Sequence, residues 1–168
     1  MKSTLIRLVL AGAIGAVTAA LLPSGMASAA DGKNIQGSIC SPMKGAESLE
    51  GQGFTRDLSG LTNNQATGSP VRFVYCPLVR DNNGNTDGLP ALKVLIKANG
   101  AGVRCAAVAR NTSGSNVKSV FVTSAAVTGL TTIDFGNTFN VSASGGHYSV
   151  QCELPPKTSV VSISYDEP

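Results

Sequence analysis

Apolar and polar residues alternate along several short runs of this chain. A β-strand turns successive side chains to opposite faces of a sheet, so each run predicts a strand with one buried and one solvent-facing side. The apolar positions of these runs are Leu92, Val94 and Ile96; Val103, Cys105 and Ala107; Tyr148, Val150, Cys152 and Leu154; and Val161, Ile163 and Tyr165. No comparable helical periodicity follows residue 30, where the nearest candidate is one short turn over Met43–Glu50.

Further segments add to the predicted sheets. The stretch Val71–Cys76 is apolar on both faces apart from Arg72, as expected of a central strand. The β-branched stretch Val117–Val127 predicts a long strand, which we expect to form a hairpin with Leu130–Phe135 through Thr128-Gly129. Weaker patterns predict two more strands, Ile35–Cys40 and Gly53–Leu58.

Turn-forming Gly, Asn, Asp and Pro residues separate these runs at short intervals. Eight or nine short strands with this spacing predict an all-β fold in two sheets. We therefore expect an antiparallel, disulfide-stapled sandwich that resembles a jelly roll.

Four cysteines, Cys40, Cys76, Cys105 and Cys152, follow the N-terminal region. An even number of cysteines in an exported chain indicates two disulfides. The absence of a Cys-x-x-Cys pair disfavours a zinc ribbon or a thioredoxin-like centre. Because Cys105 and Cys152 occupy inward-facing positions of their strands, we favour a Cys105–Cys152 pair, which leaves Cys40 with Cys76. The other two connectivities remain open.

The N-terminal region has the organisation of a secretory signal peptide. Lys2 and Arg7 precede an apolar stretch of about 15 residues, and the small residues Ala27-Ser28-Ala29 follow it. A membrane anchor is the alternative, but a spanning helix needs about 20 apolar residues. We expect residues 1–29 to be removed and residues 30–168 to form a single β-sandwich domain that is secreted or periplasmic.

The charge balance argues against two classes of partner. Without Lys2 and Arg7, 11 basic residues oppose 10 acidic ones, so the mature chain carries a net charge of +1. A nearly neutral domain lacks the basic surface that nucleic acids or anionic membranes attract. The expected partner is therefore an unidentified protein or glycan, with no nucleic acid and no membrane span after signal removal.

Two cysteine-anchored segments carry a family resemblance. Residues 76–81 read Cys-Pro-Leu-Val-Arg-Asp, and residues 148–156 read Tyr-Ser-Val-Gln-Cys-Glu-Leu-Pro-Pro. With Gly37-Ser38-Ile39-Cys40 near the start of the mature chain, they resemble a group of small exported proteins of environmental bacteria. The ending Tyr165-Asp166-Glu167 departs from that group, because no basic residue precedes the acidic pair. The resemblance implies export and a β-fold, and it implies no active site.

One loop has a partial match to a calcium-binding pattern. Asp81, Asn83, Asn85 and Asp87 supply side-chain oxygen atoms at every second position, as calcium loops do. The sixth and twelfth positions are Thr86 and Leu92, where an EF-hand loop has Gly and a bidentate Glu. A polar hairpin loop explains the same residues and is the favoured interpretation. Calcium is therefore an alternative only, and no cofactor is expected.

Catalytic patterns are weak in this sequence. The single histidine, His147, is expected at an exposed strand end, and no Gly-x-Ser-x-Gly motif supplies a nucleophile. Asp134 is one possible acid, whereas Glu153 lies six strand residues from His147, or about 20 Å. Arg80, with Asp81, is expected to form an exposed, salt-bridged strand end.

We therefore expect a non-enzymatic protein that acts by surface binding, or as a structural component of the envelope or medium. A carbohydrate- or calcium-binding module is the first alternative. A small secreted hydrolase is the second.

Overall fold

The computed structural model describes residues 31–43, 53–80, 88–139, 141, 143 and 145–167. The predicted signal peptide lies outside these residues, as do the Asp81–Asp87 loop and most of the Met43–Glu50 turn. All three therefore stay predictions from the sequence.

Within the described ranges the chain folds into β-strands and one short 3-10 turn, Gly37–Ile39. The strands are β1 (Asp31–Gln36), β2 (Ser41–Pro42), β3 (Phe54–Asp57), β4 (Gly60–Asn63), β5 (Arg72–Leu78), β6 (Leu92–Asn99), β7 (Arg104–Arg110), β8 (Asn116–Thr123), β9 (Thr128–Gly136), β10 (His147–Leu154) and β11 (Ser159–Glu167).

The strands form two antiparallel sheets. Sheet I has the order β3-β4-β11-β6-β9, and β1 pairs with the C-terminal part of β11. Sheet II has the order β2-β5-β10-β7-β8. The expected all-β, two-sheet sandwich is confirmed.

The pairings from β4 to β11 are nested. Strand β7 pairs with β8, β6 with β9, β5 with β10 and β4 with β11, so two arms of the chain run alongside each other. Successive pairs alternate between the sheets, which winds this double ribbon around the core. Eight strands wound in this way are the arrangement of a jelly roll.

The core lies between the inner faces of the two sheets. Val94 and Ile163 of sheet I and Val74 and Val150 of sheet II have no exposed surface. Tyr148 and Tyr165 are also buried, as their places in the alternating runs predict. Burial of these apolar side chains is the main favourable contribution to folding.

Two disulfides lie on the inner face of sheet II. One joins Cys105 to Cys152, which are direct cross-strand partners on β7 and β10. The other joins Cys40, just before β2, to Cys76 on β5. These are the pairs favoured by the phase of the strands, and the Cα atoms of each pair are 4.1 Å apart.

Three sequence expectations are wrong in detail. The predicted strand Ile35–Cys40 is mostly not a strand, because β1 ends at Gln36 and the 3-10 turn Gly37–Ile39 follows. The segment around Thr128-Gly129 is not a hairpin turn, because β8 pairs with β7 in sheet II whereas β9 pairs with β6 in sheet I. Strand β5 is not buried on both faces, because Phe73 on its outer side is 49% exposed. Apolar residues on both sides of β5 reflect a core on one side and an exposed aromatic surface on the other.

Loss of either disulfide is expected to lower the free energy of unfolding by about 2–4 kcal/mol, because each constrains the unfolded chain. The sequence separations of 36 and 47 residues are similar, so the double variants Cys40→Ala/Cys76→Ala and Cys105→Ala/Cys152→Ala should lose similar amounts. Urea unfolding followed by circular dichroism measures both. An unchanged midpoint in either variant would contradict the expectation.

Candidate functional site

The outer faces of the two sheets differ in chemistry. On sheet I the outward positions of β6 and β9 include Lys93, Lys97, Thr132 and Asp134, all exposed. On sheet II the outward positions include aromatic residues that do not pack in the core. Phe73 is 49% exposed and Phe121 is 58% exposed, and Tyr75, two residues after Phe73 on β5, is half-buried. Exposed aromatic side chains grouped on one face are typical of binding surfaces.

An open groove of about 410 Å³ crosses this outer face of sheet II. Its volume is within the usual range of sites for small ligands. The lining residues come from β5, β7, β10 and the β2 segment: Ser41, Pro42, Met43, Tyr75, Arg110, His147 and Gln151. The groove thus combines an aromatic ring with hydroxyl, amide, imidazole and guanidinium groups.

Strand register places the polar groups of the groove in two rows. Gln151 on β10 lies opposite Tyr75 on β5, which in turn lies opposite Ser41 on β2. His147, the first residue of β10, lies opposite Arg110 on β7. Directly opposed residues on one face have Cβ atoms about 5 Å apart, so each row presents adjacent side chains to a ligand.

The polar side chains of the groove have no hydrogen-bond partner among the described residues. Among the described residues, Tyr75, His147 and Gln151 make no side-chain hydrogen bond, and the buried Nε atom of Arg110 is unsatisfied. In most proteins a buried polar group finds a partner, and an exception calls for an explanation. Groups that the fold leaves unused are available to a ligand.

The disulfides hold the walls of the groove from beneath. Strand β2 has two residues, too few for stable pairing alone, and Cys40 immediately before it is bonded to Cys76. The Arg56 guanidinium also donates to the Cys40 carbonyl at 2.6 Å. Ser41 and Pro42 therefore stay beside β5 and form one wall.

A smaller depression of about 130 Å³ continues from the groove, and Gln151 lines both. Here the Arg104 guanidinium lies 4.5 Å from the centre of the Phe121 ring and 3.4 Å from a carboxylate oxygen of Glu153. Phe73 lines the opposite side. The two sites together extend from His147 to Glu153, about 20 Å along the strand.

Arg80 corrects a prediction. It is not at an exposed strand end, because its side chain is 6% exposed and its Nε atom lies 4.0 Å from Glu167. It also packs 5.0 Å from the centre of the Tyr148 ring and donates to the Tyr148 hydroxyl at 3.2 Å. This hydroxyl donates to the Val141 carbonyl at 2.8 Å, so the network tethers the segment before β10.

The remaining predicted site residues fall in different places. His147 is exposed at the first position of β10, as expected. The calcium candidates Asp81, Asn83, Asn85 and Asp87 lie outside the described residues. Within the described part, no three His, Cys, Asp or Glu side chains group as metal ligands would.

The predicted catalytic candidates do not come together in the described part of the groove. Its described lining contains no carboxylate to orient His147. Asp134 is on sheet I, 3.6 Å from Lys93, and Glu153 pairs with Arg104. The nearest serine on the strand, Ser149, has no exposed surface.

Comparison with models of known protein families and with curated proteins found no match. The described residues contain no helix with the length and apolarity needed to cross a bilayer. The resemblance carried by residues 76–81 and 148–156 stays a prediction.

Sequence reasoning singled out Tyr75 as a possible aromatic contact for a sugar and His147 as a strand-end residue, and it missed the other five residues of the groove: Ser41, Pro42, Met43, Arg110 and Gln151. Tyr75 and Gln151 each precede a cysteine that faces the core. Strand alternation alone therefore turns them outward. That signal was present in the sequence, but the register that brings them together was not.

Replacing Gly146 should disturb the groove from its end. A Cβ atom at Gly146 would lie 1.9 Å from the Arg110 carbonyl oxygen, so the backbone of β7 or β10 must move. Overpacking of this kind costs about 1–3 kcal/mol. We expect Gly146→Ala to lower the melting temperature and to shift the NMR signals of Arg110 and His147.

Gly32→Ala is the matched control, because the nearest atom to its added Cβ is 3.5 Å away. It should leave both the melting temperature and those signals nearly unchanged. Equal behaviour of the two variants would show that Gly146 does not position the groove.

Proposed function

We propose that this chain is a non-enzymatic saccharide-binding protein of an oxidising, extracytoplasmic compartment. Its two disulfides support that location, since such bonds persist where thiols are not kept reduced. The observation that most supports the proposal is the groove on sheet II, where polar side chains without partners among the described residues surround a partly exposed tyrosine.

The chemistry of the groove suits a saccharide. A sugar ring has apolar faces edged by hydroxyl groups, so a binding site needs an aromatic surface and several donors and acceptors around it. Tyr75 supplies the ring, and Gln151 and Ser41 supply groups that both donate and accept. The jelly-roll framework, which other proteins use in lectin domains, supports the same proposal.

The length of the surface supports an oligosaccharide rather than a single sugar. The groove and the depression adjoin at Gln151, and the depression ends at Phe73 and Phe121. An elongated ligand lying along β10 would contact both. Its binding would cover the exposed aromatic side chains of this face.

A glycan array tests the proposal with the mature chain. The expected result is retention of at least one oligosaccharide by the native protein, with at least tenfold weaker binding by Tyr75→Ala because the aromatic contact is lost. Thr132→Ala, an exposed substitution on the outer face of sheet I, is the control and should bind normally. Binding to no glycan, or binding that Tyr75→Ala leaves intact, would contradict the proposal.

The site also provides its own spectroscopic reporter. His147 is the single histidine of the chain, so its imidazole C–H signals are assigned without ambiguity. Any oligosaccharide bound in the groove should shift them. A bound oligosaccharide that leaves these signals unchanged would place the contact elsewhere on the protein.

A further inference from the structure

Arg110, like Arg72 on β5, has a buried Nε atom without a hydrogen-bond partner among the described residues, but of these two arginines Arg110 is the one that lines the groove. Arg104 has Glu153 as its partner at 3.4 Å, and Arg80 lies 4.0 Å from Glu167. Among the described residues no carboxylate pairs with Arg110, although its Nε atom is buried. A guanidinium is always charged and presents several donors in a planar fork, so an unmatched one in a groove favours an anionic ligand group.

The surroundings of Arg110 strengthen this preference. His147 lies directly across the strand pair, and the described lining of the groove adds no acidic side chain. Glu153, the acidic residue on the same outer face, is in the adjoining depression and is paired. The groove end formed by Arg110 and His147 therefore has a positive potential that no described neighbour neutralises.

The backbone at Arg110 has a local irregularity. The register between β7 and β8 shifts after Ala109, so that Arg110 lies opposite Asn116 and Val117 has no partner. Such a bulge bends the strand and changes the direction of nearby side chains, and bulges are common beside binding sites. The Arg110 carbonyl packs so closely on Gly146 that a Cβ atom there would lie 1.9 Å from its oxygen.

We infer that the saccharide bound by this protein is acidic, and that Arg110 binds its carboxylate group with His147 beside it. The inference rests on the proposed saccharide-binding function and specifies its ligand class. A carboxylate matches the fork of the guanidinium in a bidentate contact. The sugar ring that carries it would then lie toward Tyr75 and Gln151, as in a uronic acid residue within an oligosaccharide.

Calorimetric titration with uronic acid tetramers tests the inference on the mature protein. The probes are tetramers of galacturonate, glucuronate and mannuronate, each compared with its methyl ester, which keeps the hydroxyl groups and removes the charge. At least one acid should bind at least tenfold more tightly than its ester, as expected for a charge-assisted contact. Raising the salt concentration should weaken binding of the acid and leave binding of the ester nearly unchanged.

Two variants locate the effect. Arg110→Gln should abolish the difference between the acid and its ester. Lys97→Gln removes the same charge from an exposed position on sheet I and should preserve that difference. Preservation of the difference in Arg110→Gln would overturn the inference.

The remaining outcomes separate this inference from the proposed function. If acids and esters bind with equal affinity and Tyr75→Ala weakens both, the saccharide proposal stands and the inference of an acidic ligand is wrong. If only a hexaglutamate peptide binds in an Arg110-dependent way, both are wrong and the ligand is an acidic peptide. If none of these probes binds, the acidic ligand is wrong, and the glycan array alone decides the saccharide proposal.

Discussion

The pleat of sheet II couples the disulfides on its inner face to the groove on its outer face. Cys76 points into the core, so Tyr75 beside it points outward, and Cys152 and Gln151 have the same relation. A covalent bond that holds one residue of such a pair therefore also holds the position of the other. The four strands that line the groove are joined in this way, β2 to β5 and β7 to β10.

This coupling explains how a small domain keeps an organised groove without helices in its described part. The two-residue strand β2 would fray if only its hydrogen bonds to β5 held it. At the other end of the groove, the buried Arg80–Tyr148 contact fixes the start of β10, where His147 lies. Rigid walls reduce the entropy lost when a ligand binds, which favours affinity.

Local patterns were sufficient to predict most strands and the class of fold. Alternation identified β6, β10 and most of β11, and it placed Cys105 and Cys152 on the inner face. The pairing of β8 and β9 was not predictable in this way, because neighbouring strands form a hairpin or cross between sheets according to contacts far along the chain. Strand β5 was misread for a related reason, since apolar residues on both sides fit a buried strand and an exposed binding face equally well.

The candidate site was the least predictable part. Arg110 looks like an ordinary strand-end arginine in the sequence, and its importance appears only when His147 is found opposite and a carboxylate is not found among the described residues nearby. Arg80 shows the converse, because its partner Glu167 is far along the chain. Ion-pair partners of this kind are set by tertiary register, and sequence spacing does not encode them.

The groove walls depend on the Cys40–Cys76 and Cys105–Cys152 bonds, and disulfide mapping of the native protein detects both. Trypsin places the four cysteines in separate peptides, residues 34–44, 73–80, 105–110 and 119–157. Mass spectrometry of the unreduced digest of protein isolated from the producing cells should find 34–44 linked to 73–80 and 105–110 linked to 119–157. Free thiols at these positions, or a link between Cys40 and Cys105 or between Cys40 and Cys152, would contradict the account.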